Sequence, residues 1–397
     1  MNIAIYIADL TKTNQHLMPW RTILEVLHEA QICGHKTLLL SGQNNTNNIS
    51  VSTTYNNIET VRAPKPFSTA NRAILAKLLT ERQIDTLYFP IAFSRDYRPL
   101  QELEKQSSCH LVWYVPGGWF TPKQTLKAIK YLGLKPVLPY LLQAFMPKRY
   151  FIKKLTSIGE RAIVTMSKYT GEQLQANGYK GDLIFAAPPG KSPIKKATEQ
   201  GITFAEYSDL LTTTKYFLFF GPPNPIRGVP QIIKAFSNLS RLRKDVKLVC
   251  LFRGDANINP TLVQNLITAA NLGDQIICLW SSVNGTDLDL FIKHCFAVLK
   301  PFLIVPSEIP LAVLETAGYS KPVIGTGPDG TGAFIDNFGL TVPHADSGAL
   351  TNAMLHLLDD SDLYEQKCLK AKELYIHHPD WCAVSKIWLQ AGEMKTA

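Results

Sequence analysis

Short apolar runs alternate with amphipathic stretches along the whole chain, the pattern of successive parallel βαβ units. In the first half this predicts strands over 3–7, 37–40, 86–89, 111–115, 162–165 and 183–186, and helices over 17–30, 70–82 and 170–177. Thr170 and Gln173 read as a capping-box pair opening the last of these helices. At Pro188 the pattern breaks. Pro188, Pro189, Gly190 and Pro193 lead into a polar, threonine-rich stretch that reads as a linker to about 214. The alternation then restarts, with strands expected over 217–220, 247–252, 275–279, 297–300 and 322–324, and helices over 229–242, 260–272, 287–294, 310–318 and 347–358. Asn259-Pro260 supplies an N-cap and a first-turn proline. The expected fold is α/β, with two Rossmann-like, doubly wound domains. Ligands of such sheets bind beyond the carboxyl ends of the strands, so the cleft between two of them is the default site.

With 397 residues, 46% of them hydrophobic, the chain is too long for one ordinary core and suits two globular domains. No apolar run reaches the roughly 20 residues of a spanning helix. The strand-like opening, Met1 to Leu10, lacks the basic region and cleavage site of a signal peptide, so the expected location is cytoplasmic. None of the seven cysteines forms a C-x-x-C pair, and no Cys/His group has zinc spacing, so neither metal nor cofactor is expected. His377-His378, beside Pro379, reads as a surface turn. Asp287-Leu288-Asp289 reads as helix-capping acids and Asp360-Ser361-Asp362 as a polar turn.

The net charge of +9 is concentrated in one place. No Asp or Glu occurs between Lys105 and Gly159, while nine basic residues do, equal to the whole excess of the chain. Over 121–154 eight of those cations interleave with Leu126, Tyr131, Leu134, Leu138, Leu142, Phe145, Tyr150 and other apolar residues. Interfacial segments combine these features, and anionic lipid contributes roughly 1 kcal/mol per nearby cation. An anionic membrane surface is therefore an expected partner, with core helices and solvated lysines as the plainer alternative. No nucleic-acid motif accompanies the charge, and nucleic acid is not an expected partner.

The residues from 297 to 346 carry the strongest chemical signal. Lys300-Pro301-Phe302 ends a strand, a loop holds Glu308, and a helix opens near Pro310 with Glu315 on its second turn. The amides of Leu311 and Ala312, at the positive end of the helix dipole, suit a phosphate. Two carboxylates beside an anion site would repel it, but they suit sugar hydroxyls as hydrogen-bond acceptors.

This segment resembles the retaining glycosyltransferase family 4, of GT-B fold, whose hallmark is two glutamates separated by seven residues. Pro310-Leu311, Leu314-Glu315, Ala317, Gly318 and Pro322-Val323-Ile324 fall in step with its pattern. So do Gly34-His35-Lys36, the run from Ile163 to Thr170, Pro188-Pro189-Gly190, Gly221 through Arg227-Gly228-Val229, and Phe338 to Pro343 with Asp346. The resemblance implies sugar transfer from a UDP- or GDP-linked nucleotide-sugar donor to a lipid-linked or glycan acceptor. In that reading Glu315 holds the ribose, Glu308 meets the donor sugar, and Pro310, Leu311 and Ala312 border the sugar or phosphate. Gly221 and Arg227 form the phosphate loop, with Glu308 and Arg227 as the catalytic pair. The expected organisation is an acceptor domain at 1–190, a linker at 191–214, a donor domain at 215–375, and a C-terminal helix at 376–397 that packs back on the first domain.

The chain departs from that pattern in several places. Six residues, not seven, separate Glu308 from Glu315. Pro222 stands at the family's arginine position, leaving Arg227 and, as a substitute, Arg253 to meet the diphosphate. Asp9 and Thr11 replace the usual glycines after the first strand, and Gly117, Gly118 and Trp119 stand where a histidine is common. These five residues are the expected acceptor contacts. The departures leave two alternatives open: a sugar-nucleotide binder without turnover, or a GT-B epimerase.

Overall fold

The computed structural model describes residues 1–397 apart from 9, 12–13, 16, 44–49, 54–56, 92–95, 195–206, 254–260, 281–282, 284, 306 and 395–397. The first of two sheets holds β1 (Asn2–Ala8), β2 (Lys36–Gln43), β3 (Ser50–Thr53), β4 (Glu59–Pro64), β5 (Thr86–Pro90), β6 (His110–Val115), β7 (Ile163–Thr165) and β8 (Ile184–Ala186). Their order is β3-β4-β2-β1-β5-β6-β7-β8, parallel throughout except for the β3–β4 edge. The second holds β9 (Lys215–Gly221), β10 (Val246–Phe252), β11 (Ile276–Leu279), β12 (Ala297–Lys300), β13 (Val323–Gly327) and β14 (Leu340–Pro343), all parallel, in the order β11-β10-β9-β12-β13-β14. This is the doubly wound order, and it reverses between β9 and β12.

The strands are apolar on both faces because helices cover both faces. Along β9, Phe217 and Phe219 enter one core cluster, while Tyr216, Leu218 and Phe220 enter the cluster on the other side. The first lobe's helices are α1 (Trp20–Ile32), α2 (Thr69–Glu81), α3 (Arg98–Ser107), α4 (Pro122–Leu132), α5 (Leu134–Phe145), α6 (Lys148–Thr156) and α7 (Lys168–Ala176). After α8 (Ser208–Thr213), the second lobe adds α9 (Val229–Leu242), α10 (Thr261–Ala270), α11 (Gly285–His294), α12 (Leu311–Gly318), α13 (Gly330–Ile335), α14 (Ser347–Asp359) and α15 (Ser361–His377). The final helix, α16 (Trp381–Glu393), lies on the first lobe. There the Tyr88 hydroxyl donates to Trp388 O at 2.5 Å and the Ser385 hydroxyl to Val26 O at 3.1 Å.

Two local expectations are corrected. Helix α7 is capped by Ser167, whose hydroxyl accepts from the Thr170 amide at 3.1 Å. Strand β7 ends at Thr165, so Ser167 is the first hydroxyl able to cap. Gln173 is not half of a capping box but accepts from Lys148 Nζ at 2.9 Å. His378 is no surface turn: it is 8% exposed, its Nε2 lies 2.7 Å from Pro189 O, and its ring meets Phe334 edge-on. The Asn259-Pro260 cap lies outside the described residues. Among the described residues no helix is long and apolar enough to cross a membrane.

Candidate active site between the lobes

The carboxyl ends of both sheets face one another, and loops from each meet around Glu308. This residue follows β12, with the adjacent Ile309 held at φ +49°. A β-branched residue at positive φ is strained by about 1–3 kcal/mol and persists only when its surroundings require it. Its amide donates to Thr331 Oγ1 at 3.3 Å, which fixes the turn. Glu308 is 2% exposed and reaches into the first lobe. Its Oε2 accepts from the Ser167 hydroxyl at 2.6 Å and its Oε1 from the Thr170 hydroxyl at 2.8 Å. A Cβ on Gly330 would lie 2.1 Å from Oε1, and one on Gly118 3.0 Å, so both glycines make room for the carboxyl. Burial pushes its pKa up to about 7, against the opposing pull of the two hydroxyls. A carboxyl so poised both donates and accepts near neutral pH.

A second buried group joins the lobes beside it. Asp329 caps α13 by accepting from the Gly332 amide at 2.7 Å, and its Oδ2 lies 3.6 Å from His344 Nε2. Burial raises the Asp329 pKa and lowers that of His344. From α4, Gln124 Nε2 donates to Leu303 O at 3.4 Å and Lys127 Nζ to His344 O at 3.2 Å. The sequence reading missed this clasp, and also Ser167 and Thr170 as partners of Glu308. Only their positions at strand–helix junctions pointed to them.

Glu315 lies elsewhere on the same rim. Its side chain is 47% exposed and stands 4.0 Å from Arg21 Nη1 of the first lobe. Helix α12 begins after Pro310 with no side-chain cap. The Leu311 and Ala312 amides lie in the first turn of α12, where backbone donors have no partner within the helix.

The loop after β9, expected to hold phosphate, ends at Arg227 in a 3-10 turn from Pro225 to Arg227. Gly221, at φ +137°, brings the β9 end close to it: a Cβ there would sit 4.0 Å from Arg227 Nη1. Gly228 is at φ +77°, where a Cβ would strike Pro301 O at 1.9 Å. Arg253 contributes its amide, which donates to Gly221 O at 3.1 Å, while its side chain is exposed. Lys300, to which the sequence reading gave no role, is 1% exposed at the end of β12.

Among the expected acceptor contacts, Gly117 and Gly118 follow β6, and Gly118 lies beside Glu308. Thr11 lies in the turn after β1, its amide donating to Asn14 Oδ1 at 2.8 Å. Trp119 turns inward, 4% exposed and edge-on to Phe151, because the first lobe's core claims its ring. Asp9 lies outside the described residues. Among the described residues no group of three His, Cys, Asp or Glu could hold a metal ion.

Two facing Rossmann-like lobes with the site in the cleft define the GT-B fold, and similarity to solved structures bears this out. A glycosyltransferase from Rickettsia africae is 15% identical with a TM-score of 0.69, covering 99% of this chain and 97% of that one. The Anabaena HepE protein, solved with UDP, is 12% identical with a TM-score of 0.69, covering 98% and 99%. A UDP-N-acetylglucosamine 2-epimerase described as putative, from Listeria monocytogenes, is 13% identical with a lower TM-score of 0.58, covering 98% and 95%. Residues 214–360, nearly all of the second lobe, match the family model described as glycosyl transferases group 1, which supports a glycosyltransferase. No curated protein matches the chain.

Proposed function

We propose that the chain is a retaining, metal-independent glycosyltransferase. It moves a sugar from a UDP- or GDP-linked donor to a lipid-linked or glycan acceptor, in bacterial surface polysaccharide or glycolipid synthesis. The observation that carries this reading is the rim after β12. There Glu308 and Glu315, seven positions apart, face first-lobe groups across the cleft, next to the uncapped start of α12. Glu315 takes the ribose hydroxyls, Glu308 the donor sugar, and Arg227 with the Leu311 and Ala312 amides the diphosphate. Fixed donors aimed at a departing diphosphate stabilise the charge that develops as the glycosidic bond breaks. Thr11, Gly117 and Gly118 border the acceptor side.

The surface of the first lobe supports an acceptor held at an anionic membrane on the cytoplasmic side. Among the described residues, seven of the thirteen exposed large apolar side chains lie between Leu126 and Tyr150, and four of these, Leu134, Leu138, Leu142 and Phe145, form one face of α5. Lys123, Lys130, Lys135, Arg149 and Lys153 are exposed around them. Two cations are diverted inward: Lys127 to His344, and Lys148 to Gln173 and the Trp119 ring.

A thermal-shift screen against UDP, GDP and their sugars tests the donor site, because a ligand of the folded state raises its stability. Stabilisation by one nucleotide sugar with slow release of its diphosphate is the expected result. No stabilisation by any of them ends the reading. A binder without turnover is the second reading, favoured because Ser167 and Thr170 already satisfy Glu308. Binding with no donor hydrolysis singles it out.

A further inference from the structure

The sheet order reverses between β9 and β12, and two cations converge there. Lys300 ends β12, and its Nζ donates to Phe220 O at 2.6 Å, one residue before the Gly221 that the Arg227 side chain approaches. The ammonium also sits against aromatic rings, with Nζ 3.5 Å from the Phe220 centroid and 5.1 Å from that of Phe219, contacts that offset only part of the cost of burying it. One carbonyl serves an ammonium that can donate three hydrogen bonds. Among the described residues no carboxylate forms an ion pair with it. Of the charges that act on it, Arg227 disfavours its protonated form more than Glu315 favours it. A buried charge without a counter-ion is costly, and a second cation beside it adds to the cost. Such an arrangement is stable only with the proton partly lost or an anion supplied. Burial and Arg227 do hold the Lys300 pKa well below the usual lysine range.

Resting on the donor-site reading above, we propose that Lys300 is a diphosphate-binding residue paired with Arg227, and that a nucleoside diphosphate is the counter-ion its ammonium lacks. The switch point of a doubly wound sheet is where such a ligand seats, and two cations there match a group carrying two phosphate charges better than one does. Binding then draws a proton onto Lys300, coupling affinity to pH.

Calorimetric titration of wild type and Lys300→Met with UDP, GDP, uridine, guanosine and inorganic pyrophosphate tests this. If wild type binds neither nucleotide, the donor-site reading itself is overturned. If it binds one, Lys300→Met should weaken that diphosphate and pyrophosphate by about tenfold to a hundredfold, and the matching nucleoside by less than about twofold. Equal losses for nucleoside and diphosphate, or none, overturn the role of Lys300 and leave the donor site standing. Should Lys300→Met fail to fold, wild type alone decides. Diphosphate affinity should fall from about pH 7 to about pH 9, above the titration of the phosphate itself, with nucleoside affinity flat. A flat diphosphate profile overturns the inference.

Discussion

From the end of β12 into the turn before α12, Lys300 and Glu308 are 1% and 2% exposed, whereas along α5 Leu142 and Phe145 are 62% and 59% exposed. One segment takes charge out of water, and the other leaves apolar surface in it. Both are unfavourable for an isolated chain: a buried charge must find a partner or neutralise, and a contiguous apolar patch persists where something covers it. The two breaches also differ in shape. The first is a compact pocket rim with fixed donors and acceptors. The second runs along a helix with lysines at its edges. In the proposed reading a small anionic ligand completes the first and an extended lipid surface the second, so donor and acceptor reach the cleft from different phases.

The comparison can be broken at its sharpest point first. Glu308→Gln should lower donor turnover by about a hundredfold to a thousandfold in a radiolabelled transfer assay, although the variant folds at least as stably as wild type at neutral pH. Unchanged turnover would remove Glu308 from the chemistry. On the other segment, joint replacement of Leu138, Leu142 and Phe145 by Asp should cut binding to anionic vesicles by more than about a hundredfold in flotation. Leu369→Asp, at a similarly exposed site on the second lobe, serves as the control and should have no effect. Equal flotation of the triple variant and wild type would assign α5 a different cover.

A third test separates buried charge from mere packing. The Glu308 pKa rises from its ordinary 4.5 to about 7 on folding, so the native state binds the extra proton between those values. Stability relative to Glu308→Gln should therefore be greatest below about pH 4.5. It should fall by on the order of 2–3 kcal/mol as pH rises through 7, read from urea midpoints. Parallel pH profiles for the two proteins would show the carboxyl to be solvated. The smallest effect is expected at the half-exposed acid. Glu315→Ala should weaken nucleotide binding about tenfold, the worth of a charge-assisted hydrogen bond, and unchanged affinity would move the ribose elsewhere.

Much of this was readable in the chain because parallel strands buried on both faces are uninterrupted apolar runs. The 297–300 strand and the 229–242 helix match their observed bounds, and the acid-bearing turn between β12 and α12 stood out by composition. Strand β4 was missed because Glu59, Arg62 and Pro64 interrupt its apolar residues, and β14 because four residues ending in Pro343 read as a turn. Helices α4 to α6 were hidden by Pro122, Pro136, Pro139 and Pro147. What no pattern could show was contact across the cleft. Ser167 and Thr170 lie 141 and 138 positions from Glu308. His378 was misjudged for the same reason, since Pro189 and Phe334, which bury it, are remote in sequence. Lys300 looked like an ordinary polar end to a strand, and the Phe219 and Phe220 rings that help bury it come from the neighbouring β9, remote in sequence.

The return of α16 to the first lobe means that the polypeptide crosses between lobes twice, and both crossings run side by side. Lys191 bridges to Asp380, its amide donates to Pro379 O at 2.9 Å, and His378 meets Pro189. Two adjacent tethers act as the spine of a book. Being pinned to one another, the two tethers fix the lobes at a common edge, on the far side of which Glu308 meets its two hydroxyls.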